Sequence, residues 1–328
     1  MFVALLTAAR QIDFADSAWL ELSRYLPYPI MLIPAGLAVV LSARLGRRWV
    51  LISVATLTLV ATVGMGLEWH ARSIRGGQLR VMTYNVKSMK ALERADGVTQ
   101  LAREIALHDP DILVMQDASG VSTRRTAGAA SAPAVFGLSH VFAIDQFVVA
   151  SRFPLRHCAP GPGAPLSHAT FYVSCLIDVG GTDLTLVTAH FESPREGLNA
   201  TRREGLDGLE EWQQNFDSRL LQARTLASEL ESVRGPLILA GDLNAPEASP
   251  VIRSLLATGL RDAFSSNGQG YGYSYGHALR AGFSFLRIDH VLVSADIGIA
   301  DCFAGNAQAS DHRPVIADVF LGRNWKVP

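Results

Sequence analysis

A carboxylate and a carboxamide stand at the end of one apolar segment, where they could act on a bound phosphate. Residues 237–246 read LILAGDLNAP, so an apolar run ends at Asp242 and Asn244. Because side chains alternate along a strand, Asp242 and Asn244 project from the same side of the chain. The pair could align a water molecule against a phosphate. Alternatively, the two residues form only an Asx-type turn after the strand, which needs no chemistry.

Other apolar segments of the chain end in similar residues. Asn85, Asp117 and His190 each close one such segment, and a Ser-Asp-His triplet at 310–312 precedes the last one. Taken singly, Asn85 is typical of a turn, and His190 is typical of a core or rim histidine. Chance would scatter such groups over both ends of the strands. Their common position therefore favours one shared site.

Alternating strand and helix patterns from residue 76 onward would position these side chains. A Gly180-Gly181 pair predicts a hairpin. Residues 195–216 are polar and could form a loop over the site. Helices are predicted over 91–108 and 217–233 and near 248–258. The predicted strands are 79–86, 112–117, 146–155, 170–180, 182–192, the run that opens 237–246, 287–295, a strand around 297–304, and 315–321.

Two uncharged segments of 19 residues, 25–43 and 49–67, precede this region. As helices each would be about 28 Å long, close to the hydrocarbon thickness of a bilayer. They predict a transmembrane hairpin, although a pair of buried core helices would share the pattern, and three prolines weaken the first span. The chain is thus divided into an N-terminal segment (1–24), a transmembrane region with its linker (25–75) and a soluble domain (76–328).

Arginines flank both predicted spans and bear on the membrane topology. Arg44, Arg47 and Arg48 lie between the spans and favour a cytoplasmic loop, which would place the large domain on the non-cytoplasmic side. Three arginines at 72, 75 and 80 favour the opposite orientation. We therefore expect a membrane protein, of the bacterial inner membrane, with the large domain outside the cytoplasm.

The overall composition excludes some classes of protein. The formal net charge of -1 and pI near 6.8 give no bulk electrostatic reason to expect a nucleic-acid partner. Cys158, Cys175 and Cys302 form no CxxC pair, so neither a zinc ribbon nor a disulfide framework is indicated. Buried free thiols are expected instead.

Four motifs together resemble the endonuclease/exonuclease/phosphatase superfamily. In chain order they are TYNV, GDLNAP, RIDHVLVS and SDHRPV, and the resemblance covers residues 79–321. It implies an α/β fold, a four-layered sandwich of two packed mixed β-sheets with the site at one rim. Here an N-terminal transmembrane helical hairpin would precede that fold. Membrane-tethered members of the superfamily with a short hydrophobic N-terminal region resemble the whole chain.

The resemblance also assigns roles to individual residues. It implies Mg²⁺ or Mn²⁺ as the cofactor, since hard cations take oxygen ligands. At residue 117 this chain has Asp where the family usually has Glu, which would move the metal or weaken its binding. Asp289 could instead be an ordinary surface carboxylate. The implied metal ligands are Asn85, Asp117 and Asp311, and the implied catalytic residues are His190, Asp242, Asn244, Asp289 and His312.

The implied activity is hydrolysis of a phosphodiester or phosphomonoester. The substrate stays open between nucleic acid, a lipid headgroup and a small phosphate ester. Basic residues that could guide nucleic acid are Arg195, Arg202 and Arg203 in one segment and Arg124-Arg125 in another, or these are only solvated loops. No obligate protein partner is evident, and the N-terminal helices would bind the membrane. The alternative is an inactive tethered domain that binds phosphate or a protein.

Overall fold

The computed structural model of the protein describes residue 7 and residues 17–70, 77–120, 136–162, 170–279 and 282–322. Within these ranges the chain forms short and long strands that are numbered in chain order. They are β1 (Glu68–Trp69), β2 (Leu79–Asn85), β3 (Ile112–Gln116), β4 (His140–Ile144), β5 (Phe147–Ser151), β6 (Leu155–Pro160), β7 (Tyr172–Val179), β8 (Thr182–His190), β9 (Leu237–Asp242), β10 (Arg261–Asp262), β11 (Gln269–Gly270), β12 (Asp289–Val293), β13 (Ile297–Ala304) and β14 (Val315–Leu321).

The helices of the described ranges are numbered in the same way. A 3₁₀ turn (Tyr28–Met31) precedes the second helix, and a π-helical turn (Val60–Gly64) continues the third. The helices are α1 (Ala18–Arg24), α2 (Leu32–Ser42), α3 (Arg47–Leu59), α4 (Ser88–Glu93), α5 (Gly97–His108), α6 (Arg195–Glu204), α7 (Leu209–Leu230), α8 (Pro250–Leu256) and α9 (Ala263–Asn267).

Two six-stranded mixed sheets pack face to face. The first sheet has the order β10-β12-β9-β8-β7-β6, and the second has the order β13-β14-β2-β3-β5-β4. Apolar residues of both inner faces form one buried cluster between the sheets, including Val81, Leu186 and Ala240. Helices cover the outer faces, with α7 and α8 on the first sheet and α5 on the second. The predicted four-layered α/β sandwich is therefore confirmed.

Strand direction explains why the polar ends meet at one rim. Each sheet contains one parallel pair, β8–β9 in the first and β2–β3 in the second. In the first sheet, His190 pairs with Asp242, and Asp242 pairs with Asp289, which begins the antiparallel strand β12. In the second sheet, β14 starts beside the end of β2. The predicted strand ends thus lie side by side.

Several predicted elements differ from the structure in length or type. The region 91–108 contains two helices, α4 and α5, because the chain turns between them at residues 94–96. The region 195–216, for which a loop was expected, forms α6 and the start of α7. Its packing explains why periodicity missed it. Gly197 and Ala200, rather than large apolar residues, face α7, where Gly197 fits against the backbone of Trp212.

The N-terminal region is less regular than the predicted hairpin. The first predicted span begins at Tyr25, but Tyr25 and Tyr28 are buried against the rest of the protein and α2 has only 11 residues, about 16 Å. Prolines at 27 and 29 keep the chain out of an α-helix at its start. The second span is continuous over Arg47–Gly64, 18 residues long with a mean hydropathy of 1.3. It is therefore one helix that could cross a membrane by length and composition.

A second candidate span would combine α1 with the helix that follows it, Tyr28–Ser42, across a bend of 84°. However, Glu21 and Arg24 of α1 are buried and ion-paired at 3.0 Å within the sandwich. The α1 part therefore belongs to the sandwich. Of the N-terminal helices that the structure describes, α2 and α3 project from the sandwich with exposed apolar side chains. Val40 is 70% exposed and Leu51 is 59% exposed.

The cysteines differ from the expectation of three free thiols. Cys158 and Cys175 form a disulfide, and Cys302 is free and buried. The two bonded residues lie on β6 and β7, next to the cross-strand pair of Ala159 and Ser174. The pairing thus results from the register of two neighbouring strands, which the spacing of the cysteines does not reveal.

Candidate active site

Asp242 is the centre of the rim where the two sheets meet. It is the last residue of β9 and is completely buried. The Nδ2 amide of Asn85, at the end of β2 in the other sheet, donates to Asp242 Oδ2 at 2.8 Å. The backbone N–H of Asn244 donates to Asp242 Oδ1 at 3.0 Å. Both carboxylate oxygens are therefore held in fixed directions.

His312 lies between two carboxylates. Its Nδ1 donates to Asp289 Oδ2 at 2.9 Å, and its Nε2 is 3.7 Å from Asp242 Oδ2. The ring also contacts Tyr275, with 4.7 Å between ring centroids. Asp289 thus orients the imidazole so that Nε2 faces Asp242.

His190 approaches Asp242 from the neighbouring strand β8. Its Nε2 is 3.5 Å from Asp242 Oδ2, and its Nδ1 donates to Gln146 Oε1 at 2.5 Å. Gln146 lies in the turn between β4 and β5, which belong to the opposite sheet. The two imidazoles therefore present their Nε2 atoms to the same carboxylate oxygen.

The two histidines have pKa values shifted in opposite directions. Burial lowers the pKa of His190, and the nearby Asp242 offsets only part of this effect, while Lys87 adds to it. Burial would also lower the pKa of His312, but the carboxylates of Asp289 and Asp242 outweigh it, so this pKa is raised. Around neutral pH the site therefore favours a neutral His190 beside a positively charged His312.

The charge of Asp242 is maintained despite its burial. Burial alone would raise its pKa, but His312, His190 and Lys87 outweigh this effect, and the pKa of Asp242 is lowered. A buried carboxylate that stays ionised is a strong hydrogen-bond acceptor. Asp242 could therefore hold a water molecule or accept its proton.

Asn244 takes a different position from the one that simple alternation predicts. Its backbone is in the left-handed region with φ +48°, and its Nδ2 donates to the backbone carbonyl of Phe191 at 2.8 Å. The backbone N–H of Asn244, rather than its carboxamide, contacts Asp242. Asn244 thus shapes the loop after β9.

Asp117 and Asp311 lie at the mouth of the site, where each forms an ion pair with a lysine. Asp117 Oδ2 is 2.8 Å from Lys87 Nζ, and Asp311 pairs with Lys90. Asp117 also has a left-handed backbone with φ +52°. Asp117 lies close enough to His190, and Asp311 close enough to His312, for their charges to affect each other.

The neighbouring Gln116 has a structural position beneath the site. Its Nε2 donates to Thr188 Oγ1 on β8 at 2.9 Å and to Thr83 Oγ1 on β2 at 3.1 Å. Gln116 is completely buried. It therefore links the two sheets directly under the strand ends that carry Asn85 and His190.

Two groups of residues offer ligands for a divalent cation. Among the described residues, the atoms of Asp242, Asp289 and His312 lie within 4.8 Å of one another. The other group is the predicted one, Asn85 with Asp117 and Asp311, which supplies only oxygen ligands. In the structure, lysine ammonium groups already neutralise both carboxylates of the predicted group. Because that group supplies only oxygen ligands, its donor chemistry fits a hard cation such as Mg²⁺.

A cavity of about 900 Å³ opens beside the two histidines. Its wall is apolar on one side, where Phe191 and Phe285 lie, and basic on another, where Arg195 and Arg202 lie. Arg195 also donates to Tyr275 Oη at 3.4 Å. Arg203 of the same helix is exposed, whereas Arg124-Arg125 lies outside the described residues. Two of the predicted basic residues thus border the site.

The family model for the Endonuclease/Exonuclease/phosphatase family matches residues 82–312. The chain belongs to this family. The matched region contains every predicted site residue, from Asn85 to His312. Enzymes of the endonuclease/exonuclease/phosphatase family hydrolyse phosphoesters and generally depend on a divalent metal, and the chain is assigned to the phosphoester hydrolases on this basis.

Solved structures of this family share the fold over most of their length. The 3′-5′ exonuclease of Neisseria meningitidis is 19% identical, with a TM-score of 0.51 over 73% of this chain and 98% of that chain. TDP2 of D. rerio in complex with a single-stranded DNA product is 15% identical, with a TM-score of 0.53 over 74% and 98%. An AP endonuclease of Archaeoglobus fulgidus is 16% identical, with a TM-score of 0.51 over 73% and 98%. No curated protein matches the chain.

Some residues of the site carry no sequence signal. Gln146 lies in the hairpin turn between β4 and β5. Lys87 follows β2, the strand whose last residue, Asn85, was the predicted site residue. Both reach the site from loops, where side-chain direction does not follow a periodic pattern. The four family motifs include neither position. Only the folded backbone brings Gln146 to His190 and Lys87 to Asp117.

Proposed function

We propose that the protein is a membrane-anchored, divalent-metal-dependent phosphoesterase whose catalytic centre is Asp242. The observation that carries the proposal is the convergence of Asn85, His190 and His312 on Asp242 Oδ2, at 2.8, 3.5 and 3.7 Å. An ionised carboxylate between an amide and two imidazoles suits phosphoester hydrolysis, which needs a positioned water and stabilisation of developing negative charge.

In this proposal Asp242 and each residue around it have a separate role in the hydrolysis. Asp242 aligns a water molecule and accepts its proton, and the amide of Asn85 keeps the carboxylate in place. His312, kept charged by Asp289, donates from Nε2 to a phosphoryl oxygen. His190 is neutral and binds substrate, because its lowered pKa makes it a weak source of protons at neutral pH.

Metal binding is proposed at the mouth of the site. Asn85 and Asp117 would hold Mg²⁺ or Mn²⁺, with Asp311 near it, and the bound ion would neutralise phosphate charge. The group of Asp242, Asp289 and His312 is the less suitable one. Both ring nitrogens of His312 already face a carboxylate, so a cation there would replace the proton that the reaction uses.

The membrane anchor is proposed from the projecting helices α2 and α3. Their apolar side chains are exposed, and Arg44, Arg47 and Arg48 lie exposed at the turn between them. The opposite ends of α2 and α3 lie against the sandwich. There, Tyr273 Oη donates to the backbone carbonyl of Met65 at 2.8 Å. The arginines are thus at the far end, which favours their placement in the cytoplasm.

The disulfide supports the same orientation independently. Disulfides persist in oxidising compartments and are rare in the cytosol. Because Cys158 and Cys175 belong to the sandwich, a catalytic domain on the non-cytoplasmic side accounts for their bond. A bacterial inner-membrane protein with its catalytic domain in the periplasm fits both observations.

The proposed substrate is a phosphodiester. Structural neighbours include an exonuclease, an AP endonuclease and a protein bound to a DNA product. The cavity beside the histidines carries Arg195 and Arg202, which suit an anionic ligand, but the net charge of -1 gives no general attraction for nucleic acid. A short oligonucleotide or a single phosphodiester group therefore fits better than a long duplex.

The test is a substrate panel on the purified full-length protein in detergent, with Mg²⁺ or Mn²⁺. The panel contains plasmid DNA, single-stranded DNA, RNA, sphingomyelin, phosphoinositides and a chromogenic phosphodiester. We expect turnover of at least one phosphodiester that is lost in the Asp242→Asn variant. A folded wild-type protein that hydrolyses none of them would favour the inactive, phosphate-binding alternative.

A further inference from the structure

Helix α1 precedes the family region yet is built into the core beside the active site. Ala18 and Tyr25 belong to the same buried cluster as Trp212 of α7. The indole N–H of Trp212 donates to the backbone carbonyl of Ala18 at 2.7 Å. The ring of Tyr25 packs edge-on against Trp212, with 5.5 Å between centroids. The segment therefore has a fixed position relative to α7.

The hydroxyl of Tyr25 contacts the loop that follows the catalytic strand. It donates to the backbone carbonyl of Asn244 at 2.7 Å and accepts from Nη1 of Arg219. Arg219 Nη1 also donates to the same carbonyl, at 3.1 Å. Arg219 is completely buried and lies 3.6 Å from Glu21 of α1. The carbonyl of Asn244 thus accepts hydrogen bonds from Tyr25 and Arg219, and Tyr25 lies outside the family region.

The backbone at Asn244 is held by several contacts. Its φ of +48° is in the left-handed region, which is uncommon outside glycine although asparagine is enriched there. The N–H of this residue fixes Asp242 Oδ1, and its side chain is tied to Phe191. Its carbonyl is the remaining polar group of the backbone, and the Tyr25 hydroxyl is the closer of the two donors to it. A shift of this carbonyl would therefore move the N–H that orients Asp242.

We propose that Tyr25 is a positioning residue for Asp242, acting through the backbone of Asn244. The inference rests on the proposed function for its catalytic consequence. Burial raises the pKa of Tyr25, so its hydroxyl remains a donor throughout the working pH range. Tyr25 also lines the cavity beside the histidines. A residue N-terminal to the family region thus completes the support of the catalytic carboxylate.

The position of Tyr25 links the catalytic loop to the membrane anchor. It follows α1 directly and stands at the 84° bend where the chain turns toward α2. Three residues later, Tyr28 packs with Val60 and Met65 at the base of the projecting helices. The same short segment thus contacts both the anchor and the loop of Asp242.

The test is the variant Tyr25→Phe in the full-length protein. Phenylalanine keeps the ring against Trp212 and removes only the hydroxyl. The matched control is Tyr28→Phe, which removes a second buried hydroxyl from the same segment, away from Asn244. Two quantities are measured for each variant: amide hydrogen exchange of a peptide covering residues 240–249, and kcat and KM on the phosphodiester found in the panel.

We expect Tyr25→Phe to speed exchange of the 243–245 amides about tenfold and to lower kcat about tenfold with little change in KM. Tyr28→Phe should leave both unchanged. Wild-type exchange and kcat in Tyr25→Phe would overturn the inference, as would equal changes in both variants, which indicate general destabilisation. If the wild-type protein and Asp242→Asn are equally inactive, the proposed function fails. The exchange comparison then decides the positioning role by itself.

Discussion

The Nδ2 amide of Asn85 donates a 2.8 Å hydrogen bond to Asp242 Oδ2, joining the last residues of two strands from opposite sheets. Both side chains are completely buried. This hydrogen bond connects the two sheets at the rim, where His190 and His312 also face Asp242. The geometry of the candidate site therefore depends on how the two sheets pack.

Replacing Asn85 should test this relationship. Asn85→Ala removes the amide donor, and we expect kcat to fall about 10²–10³-fold, the typical effect of losing one preorganised donor. Asn85→Asp should be at least as harmful, because it places a second carboxylate against buried Asp242. The measurement is kcat with circular dichroism as the control for folding. Full activity of folded Asn85→Ala would show that this amide does not position the catalytic carboxylate.

The shifted pKa values of His190 and His312 predict the pH dependence of kcat/KM. The pKa of His312 is raised above the ordinary value of 6.5, so its charged form persists above pH 6.5 and is lost as pH rises through the raised pKa. The groups facing it are Asp289, Asp242 and Lys87, with the ring of Tyr275. Activity that requires the imidazolium should therefore decline on the alkaline side.

On the acid side of the profile, kcat/KM should fall as His190 becomes protonated. The pKa of His190 is lowered below 6.5, so its neutral form persists below pH 6.5 and is lost as pH falls further. We expect a bell-shaped profile that is broad around pH 6.5. His312→Gln should lower kcat/KM about 10²–10⁴-fold and remove the alkaline limb. An unchanged alkaline limb in this variant would assign the titration to another group.

Metal removal tests the role of Asp117. Activity should vanish in EDTA and return with Mg²⁺ or Mn²⁺, with Zn²⁺ a poor substitute, since the proposed ligands are all oxygens. Losing one positioned metal contact should raise the barrier by about 3–4 kcal/mol, so Asp117→Ala should lower the rate about 10²–10³-fold. The matched control is Asp183→Ala, at the opposite end of β8 from His190.

The readout is turnover as a function of Mg²⁺ concentration. Asp183→Ala should follow the wild-type curve, because Asp183 is 58% exposed and its ion-pair partner among the described residues is the surface residue Arg156. Asp117→Ala should require more Mg²⁺ at every level of activity. A wild-type Mg²⁺ curve for Asp117→Ala would mean that the metal is held elsewhere, with the group around Asp289 as the next candidate.

The disulfide gives a test of membrane orientation. In cells, the thiols of Cys158 and Cys175 should resist alkylation until a reductant is added, whereas buried Cys302 should react only after denaturation. The bond closes a sequence separation of 17 residues, and its loss in a Cys158→Ser, Cys175→Ser variant should destabilise the fold by about 3 kcal/mol. Free thiols in protein taken directly from membranes would argue for a cytoplasmic catalytic domain.

Much of the site was predictable because it lies on strand ends. Asn85, His190 and Asp242 close strands whose apolar runs are recognisable, and two parallel pairs bring those ends to one rim. The triplet that contains His312 was recognised beside the last strand, and the family motifs added Asp289 and the role of His312. Apolar patterns and turn residues predicted the strands, whereas the arrangement of these strands in a four-layered sandwich came from the resemblance to the family.

The parts that were missed depend on tertiary packing. Helix α6 has a polar sequence, and the residues that it buries against α7 are the small Gly197 and Ala200 rather than large apolar ones. The disulfide depends on the register of β6 and β7. The first predicted span begins with Tyr25, whose hydroxyl contacts the catalytic loop instead of a membrane. Hydropathy alone cannot separate these two environments for an apolar segment.

The division of the chain at residue 76 remains a prediction, and α1 bears on how it is tested. Removing residues 1–75 would leave Arg219 buried without Glu21 and Tyr25, and an unpaired buried charge is strongly destabilising. Expression of residues 17–328 is therefore the better test of which parts fold together. We expect this fragment to retain the stability of the full-length protein in detergent.

The most direct test of the account is the initial rate of hydrolysis of a chromogenic phosphodiester by the full-length protein and by Asp242→Asn. Rates are measured with Mg²⁺, with EDTA, and after Mg²⁺ is restored. Metal-dependent turnover in the wild-type protein, reduced at least about 10³-fold in a folded Asp242→Asn variant, is the predicted result. Equal rates in both proteins, or full activity in EDTA, would contradict it.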